Sequence, residues 1–449
     1  MNISCCRNSF YPLLLLAGLV LASSSDAGAA WILPQEAFQR TKAVFADFGL
    51  AMEPDISEQA ESLEPQGSRE SVLALLPYFD PWNGFDRFSR VKPDSLEVFQ
   101  DRDARLEPDF SIKLNSTSSG SILEVSPKRG LHGLRIAIDP GHMGGDLWDR
   151  RTDKYVTDKN GRKISEGLLT LQTALLLEKE LTDLGAQVLL TRRELSPVTN
   201  QIYESFDLNP YAEATFRESS LLEWFQQLLG TAPAGTDLFN AFRKSSNLRE
   251  IYSEAQRPLY FILKADLDAR AQLINDFAPD LTLILHFDTA GNPRQVSKGH
   301  NGTKAYVPGA FLPEELGTRE NRFALVRHLA QPEMWKSSVG LSSEILKQIR
   351  SQMQIPIDSS GGGGSIREAA PGVFARNLVL TRKIHGTALA YLECLFYNDP
   401  LEFKAFSQNQ YFMTIGARSY GYSERLVQLS KAIRDGVLSF SSQSNNHRE

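Results

Sequence analysis

From Leu134 to about Glu393, short apolar runs alternate with amphipathic stretches along the chain. Apolar runs bounded by turn residues predict buried strands, and apolar positions three and four apart predict helices. The predicted strands are LRIAI, AQVLLTR, LTLILHF, GTKAYVP and TALAYLE. The predicted helices are EGLLTLQTALLLEKELTDLG, LDARAQLINDFAPD and SVGLSSEILKQIRSQM. This alternation predicts an α/β fold, with a mostly parallel twisted sheet and helices on both faces.

Two long interruptions break the alternation and are predicted to be insertions, one near 194–263 and one near 299–372. The second ends in DSSGGGGSIREAAPG, whose consecutive glycines indicate a flexible loop. A surface connector and a lid over a site both fit this composition.

The N-terminal pattern predicts export. Residues 1–30 contain Arg7, then the apolar run Tyr11–Ala22, then small residues, which is the layout of a signal peptide. The run is shorter than the roughly 20 residues that a membrane span needs, so we expect no stable membrane anchor. The expected location is the periplasm or cell envelope.

The rest of the chain divides by composition. Residues 31–130 form an N-terminal accessory region whose role is not legible from the sequence, and 131–440 form the main domain. Residues 441–449 form a polar tail. The Ser/Thr/Gly-rich stretch at 114–121 is typical of a loop or linker near the first boundary.

Composition narrows the classes of function. The formal net charge is -6, with 42% hydrophobic and 23% charged residues, which is ordinary for a globular protein and gives no reason to expect nucleic acid as a partner. Cys5 and Cys6 fall in the predicted signal peptide, which leaves Cys394 alone. An internal disulfide and a cysteine-ligated zinc site are therefore both excluded for the mature chain.

Four residues are candidates for chemistry. His142, His286 and Glu393 all fall at the ends of predicted strands, and sites in α/β sheets form at the carboxyl ends of strands. Glu166 opens the first long helix. A zinc hydrolase uses three protein ligands, commonly histidines and a carboxylate. Taken alone, Glu166 is more simply explained as an acid favoured at a helix N-terminus.

Four blocks of the sequence together resemble a known family. IAIDPGHMGGD, EGLLTLQTALLLEKELTDLGAQVLLTR, ARAQLINDFAPDLTLILHF and TALAYLECLFYND are similar to the ordered blocks of the zinc-dependent N-acetylmuramoyl-L-alanine amidases, the amidase_3 family. Those enzymes cut the amide between N-acetylmuramic acid and the first residue of the peptidoglycan stem peptide. The resemblance covers about Leu134 to Phe406 and does not reach residues 31–130.

The resemblance implies roles residue by residue. It places the metal ligands at His142, Glu166 and His286, for one Zn²⁺ per chain. It places the catalytic glutamate at Glu393 and matches Arg270 to an arginine of the family's corresponding helix. The implied activity is an exported N-acetylmuramoyl-L-alanine amidase that acts on peptidoglycan in cell-wall remodelling or division.

The chain departs from the family's pattern at several positions. Met143 stands where the family usually has glycine, and Phe287 and Cys394 are bulky neighbours of the proposed ligand and base. Asn398 still fits the end of the last block. These departures predict a reshaped pocket more than a lost metal site.

The resemblance also implies a possible partner. Some family members carry an insertion after the second histidine that blocks the zinc until an activating protein moves it. We hypothesise that part of 299–372, around Phe311–Trp335, covers the site here; a surface insertion without that role is the alternative. Two other functions stay open: a zinc carboxypeptidase or endopeptidase that cuts stem peptides, and a catalytically degenerate cell-wall binding protein.

Overall fold

The computed structural model describes residues 56–63, 67–101, 107–115, 131–208, 257–297, 300–361 and 367–443. All of them belong to one unit, which spans 46–208 and 255–449. The predicted signal peptide, most of the predicted insertion near 194–263 and the end of the polar tail lie outside the described residues.

The strands in this part of the chain are β1 (Ser89–Val91), β2 (Ser95–Val98), β3 (Phe110–Lys113), β4 (Arg135–Pro140), β5 (Tyr155–Thr157), β6 (Lys163–Ser165), β7 (Gln187–Leu190), β8 (Leu281–Asp288), β9 (Lys304–Pro308), β10 (Arg367–Ala370), β11 (Val373–Arg376), β12 (Ala388–Phe396), β13 (Tyr411–Ile415) and β14 (Arg418–Tyr422). The α-helices are α1 (Ile56–Ser62), α2 (Arg69–Phe79), α3 (Gly145–Thr152), α4 (Glu166–Asp183), α5 (Leu267–Phe277), α6 (Arg319–Leu329), α7 (Pro332–Met353), α8 (Val379–Lys383), α9 (Pro400–Phe406) and α10 (Glu424–Gln443). Among the described helices, none combines the length and the apolar character that crossing a membrane requires.

The central sheet has seven strands in the order β10-β11-β9-β12-β8-β4-β7. The pairings β4–β7, β4–β8, β12–β8 and β11–β9 are parallel, and β12–β9 and β10–β11 are antiparallel. The predicted α/β fold with a mostly parallel sheet is therefore confirmed.

Helices cover both faces of the sheet, as predicted. Side chains alternate between the faces along a strand. Ile136 and Ile138 of β4 belong to the larger core, which includes residues of α4, α7 and α10. Ala137 between them joins a smaller core with Ile284 and with residues of α5 and α8. His286 of β8 and Glu393 of β12 lie on the same face as this smaller core, whereas Glu166 begins α4, whose residues join the larger core.

The predicted insertion near 299–372 supplies structure to the sheet. It contains β9, which is buried along its whole length and runs antiparallel to β12, and it contains α6 and α7. Pro332 is the first residue of α7, where its missing N–H costs no helical hydrogen bond. The segment between Phe311 and Val339, which has no strand pattern, is therefore largely helical in the structure.

The described part of the predicted accessory region contains α1, α2 and a sheet in the order β1-β2-β3. It packs on α6 and α7 through aromatic side chains. Phe110 meets Phe323 of α6 edge to face at 5.6 Å, and Phe79 lies 6.3 Å from Trp335 of α7. These contacts give the described residues between 56 and 115 a continuous core with α6 and α7.

Candidate metal centre

The loop after β4 carries His142 in a constrained backbone conformation. Its φ is 56°, in the left-handed region that residues with a β-carbon seldom adopt. The preceding Gly141 is required by space, because a β-carbon there would lie 2.3 Å from the ring of His286. The two imidazole rings lie nearly perpendicular, with centroids 4.6 Å apart. The turn therefore brings His142 and His286 together from different strands.

Glu166 enters the same space from the first residue of α4. Its side chain is almost fully buried, and the Ser165 side chain caps the helix just before it. Helix N-termini stabilise carboxylates through the macrodipole. Gly167 lets the helix approach closely, since a β-carbon there would lie 2.1 Å from the Met143 carbonyl oxygen. The start of α4 therefore packs directly on the loop that carries His142.

His286 lies near the carboxyl end of β8, two residues before the strand ends at Asp288. It pairs in register with Glu393 of the parallel strand β12. The ring of Tyr391 stacks on the imidazole with 4.7 Å between centroids and 8° between planes. Because alternate residues share a face, Tyr391 and Glu393 both lie on the side of the sheet that carries His286.

The structure brings three of the predicted residues into one cluster. A potential ligand atom from each of His142, Glu166 and His286 lies within 4.8 Å of the others. Glu166 Oε1 is 3.2 Å from His142 Nε2 and 3.2 Å from His286 Nδ1. A tetrahedral zinc ion with bonds of about 2.0 Å holds its ligand atoms roughly 3.3 Å apart. The donor set and the two separations from Glu166 Oε1 therefore fit a zinc ion.

The protonation states of the three side chains in the cluster favour binding of a cation. Burial lowers the pKa of His142 to about 3, against the opposing charge of Glu166, and burial also lowers the pKa of His286. Both imidazoles are therefore neutral at pH 7, which is the form that binds metal. Burial acts to raise the pKa of Glu166, but His142, the charge of Lys154 and hydrogen bonds with His142 and His286 hold the pKa well below the usual range. The Phe287 N–H also donates to Glu166 Oε1 at 3.2 Å.

Glu393 lies beside this cluster without joining it. Its Oε2 is a buried oxygen that has no hydrogen-bond partner among the described residues. Burial raises the pKa of Glu393 well above its usual value, and the charges of Asp288 and Glu166 add to that effect. A buried carboxylate without a partner is a candidate for an oxygen that meets a ligand or a reacting group.

Sequence reasoning missed two cations near the site. Lys154 Nζ lies 3.9 Å from Glu166 Oε2 and the side chain is partly exposed. Lys304, which pairs in register with Glu393, is buried, with its Nζ 2.7 Å from Asp288 Oδ2. Lys304 could have been found from the sequence, because a lysine within the apolar run of β9 is unusual. Nothing in the pattern around Lys154 indicated that it lies near the site.

Asn398 shapes the loop that follows β8. Its Oδ1 accepts the N–H of Ala290 at 2.9 Å, and its Nδ2 donates to the carbonyls of Ala290 and Gln295 at 2.7 and 3.2 Å. Asn398 is fully buried. The residue that fits the end of the family's last block therefore orders the backbone next to the site rather than entering it.

The structure does not place Phe311–Trp335 over the cluster. Lys304 at the start of β9 pairs with Glu393, and the strand runs antiparallel to β12 and ends at Pro308. Trp335 Nε1 donates to the Pro308 carbonyl at 2.9 Å. The segment therefore packs at the far end of β9, because its aromatic residues fill the core against α2.

Comparison with known proteins returns matches among solved structures. No protein-family model matches the chain, and no curated protein matches it. The chain is similar to the Ami1 N-acetylmuramyl-L-alanine amidase from Mycobacterium smegmatis, with 14% identity, a TM-score of 0.38, and coverage of 70% of this chain and 99% of that one. It is also similar to the CwlD amidase from Clostridioides difficile in complex with the GerS lipoprotein, with 14% identity, a TM-score of 0.36, and coverage of 69% and 99%. A third is the AmiC2 N-acetylmuramoyl-L-alanine amidase of Nostoc punctiforme, with 13% identity, a TM-score of 0.34, and coverage of 68% and 96%.

Proposed function

We propose that this chain is a zinc-dependent N-acetylmuramoyl-L-alanine amidase, which hydrolyses the amide between N-acetylmuramic acid and the L-alanine of the stem peptide. The observation that carries the proposal is the convergence of His142, Glu166 and His286 within 4.8 Å, with Glu393 paired in register beside His286. The ordered sequence blocks that contain these four residues support the choice of substrate.

His142, Glu166 and His286 would hold one zinc ion and leave a position free for water or substrate. When bound, zinc supplies Lewis acidity that polarises the scissile carbonyl and makes water more acidic. The protein's part is to keep both imidazoles neutral and the carboxylate ionised by burial and hydrogen bonding. Two neutral ligands and one anion leave a net positive charge at the centre.

Glu393 would act as the general base and acid. Its partnerless Oε2 is free to take a proton from the attacking water and to pass it to the departing alanine nitrogen. Its raised pKa favours keeping the proton between the two transfers. The stacked ring of Tyr391 would exclude bulk water from the His286 side of the centre.

We also infer that the protein acts outside the cytoplasm, in the periplasm or cell envelope. The signal-peptide pattern of residues 1–30 supports this, and peptidoglycan lies in that compartment. Cell fractionation, together with N-terminal sequencing of the mature protein, tests the inference. An activating protein partner stays a prediction from the family resemblance, and Phe311–Trp335 does not cover the site on which such a partner would act.

Digestion of purified peptidoglycan tests the substrate assignment, with the fragments identified by mass. The proposed reaction releases intact stem peptides with a free N-terminal L-alanine and leaves the lactyl carboxyl group on the glycan. Fragments cut inside the stem peptide would instead assign a carboxypeptidase or endopeptidase. Stoichiometric zinc without any cleavage would indicate a binding protein.

A further inference from the structure

Two arginine side chains are buried beneath the loop that carries His142. Arg192 follows β7 and is 5% exposed, and Arg270 lies in α5 and is 1% exposed. Buried guanidinium groups are costly unless their N–H groups are satisfied. The acceptors of these N–H groups therefore indicate the role of the two arginines.

Arg192 joins the loop to the start of α4. Its Nε donates to the Pro140 carbonyl at 3.0 Å, and its Nη2 donates to the Gly141 carbonyl at 3.0 Å. The same Nη2 donates to the Gly167 carbonyl in the first turn of α4 at 2.9 Å. One planar group thus ties the backbone next to His142 to the backbone next to Glu166.

Arg270 of α5 donates hydrogen bonds to the same loop. Its Nη1 donates to the Pro140 carbonyl at 2.7 Å, and its Nη2 donates to the His142 carbonyl at 3.1 Å. Its charge is balanced by Asp266, with Nε to Oδ2 at 2.9 Å, and by Asp139 at 3.2 Å. The carbonyls of three successive residues, 140 to 142, therefore accept from the two guanidinium groups.

This arrangement bears on the left-handed conformation of His142. A residue with a β-carbon leaves that conformation unless its surroundings hold it. The hydrogen bonds to the His142 carbonyl and its two predecessors act on the peptide groups that set the direction of the imidazole. Glu166 is fixed relative to them through the bond from Arg192 to Gly167.

We propose that Arg192 and Arg270 are positioning residues that clamp the 140–142 backbone and so form the ligand geometry before the metal binds. The proposal rests on the proposed function in taking His142 and Glu166 as ligands. The proposal predicts that holding the ligand geometry requires the planar fork of the guanidinium, and not its charge alone.

Arg192→Lys tests the clamp, because lysine keeps the charge and loses the fork. The zinc dissociation constant, measured by competition with a chromophoric chelator, should rise about 10–100-fold. In metal-free protein, amide hydrogen exchange should accelerate at Gly141 and Gly144, whose N–H groups now bond to Leu285 and Leu195.

Arg322→Lys is the matched control. Arg322 is 2% exposed and donates to the Leu316 and Gly317 carbonyls at 3.0 Å each, away from the site. The Arg322→Lys substitution should lower the melting temperature without changing zinc affinity or amide hydrogen exchange in the 140–144 loop.

Wild-type zinc affinity and exchange in Arg192→Lys would overturn the clamp, as would equal losses of zinc affinity in both variants. Failure of the proposed function would give a different result from failure of the clamp. If the wild-type protein binds no zinc, or if a His142→Ala variant binds zinc as tightly as the wild type, the metal centre itself is contradicted. The exchange rates of the metal-free proteins still decide whether the arginines hold the loop.

Discussion

His142 shows how a backbone conformation and a side-chain role are joined in one residue. The left-handed turn at φ 56° directs the imidazole toward Glu166, whose Oε1 lies 3.2 Å from its Nε2. A glycine would adopt this turn at no steric cost, but it would bring no ligand. The presence of histidine where the backbone disfavours it is consistent with a functional constraint.

At Glu393, replacement of the carboxylate should separate chemistry from metal binding. Glu393→Gln keeps the shape of the side chain and removes the proton acceptor, so turnover should fall by at least about 100-fold. Zinc content should stay at one per chain, because Glu393 lies outside the ligand cluster. Peptide release from peptidoglycan and metal analysis of the same sample check both statements.

The matched control is Glu314→Gln, an exposed position near the far end of β9. It should leave activity and zinc content unchanged. Near wild-type hydrolysis by Glu393→Gln would show that another group moves the proton.

His328 gives a prediction about stability and pH. Burial lowers its pKa to about 3, and its ring stacks on Phe79 with centroids 5.7 Å apart. Between pH 6.5 and about 3 the unfolded chain binds a proton that the folded chain does not, so stability falls as the pH falls. The contribution amounts to roughly 2 kcal/mol between pH 7 and pH 5.

His328→Gln should remove this part of the pH dependence. Urea unfolding at pH 7 and pH 5 should show a smaller loss of stability for the variant than for the wild type. Equal losses in the two proteins would mean that His328 titrates normally in the folded state.

At the scale of elements, the site depends on how closely the loop after β4 approaches β8. Gly141→Ala would place a methyl group 2.3 Å from the His286 ring, so the ring or the loop must move. Zinc affinity should fall by more than about tenfold, as it does when the support of a ligand is disturbed. Isothermal titration of the metal-free protein with zinc measures the effect.

Gly317→Ala is the control for this change, because a β-carbon there meets nothing within 4 Å. It should bind zinc as the wild type does. If Gly141→Ala also binds normally, the close approach does not set the ligand geometry.

The sequence predicted the positions of the central strands well, but it did not predict their full extent or all of their directions. The apolar runs predicted β4, β7, β8, β9 and β12, because a buried strand needs apolar residues on both faces. The predicted strand LTLILHF ends at Phe287, and the pattern did not predict that β8 includes Asp288, since a charged residue is typical of a strand end. The antiparallel direction of β9 was equally hidden, because the apolar pattern of a buried strand does not specify the direction of its neighbours.

The candidate site was predictable in part, because residues at the carboxyl ends of neighbouring strands lie close together. His142, Glu166 and His286 come together as expected, and their metal-binding role stays a prediction. Lys154 and Arg192 escaped notice because their contacts depend on loops whose course the pattern does not fix. Arg192 reads as a polar residue that ends a strand, yet its donors turn inward to backbone carbonyls.

At the scale of the whole molecule, the two faces of the sheet differ in the size of their apolar cores. The larger core lies against α4, α7 and α10, and it continues into the aromatic contacts of Phe79 and Phe110. The smaller core under α5 and α8 occupies the face that bears His286 and Glu393.

The most direct test of the account is a zinc titration of metal-stripped protein while peptide release from peptidoglycan is followed. Activity should be absent at first, rise in proportion to added zinc, and level off at one zinc per chain. Full activity in the stripped protein, or a rise that bears no relation to one equivalent, would contradict a single zinc centre at His142, Glu166 and His286.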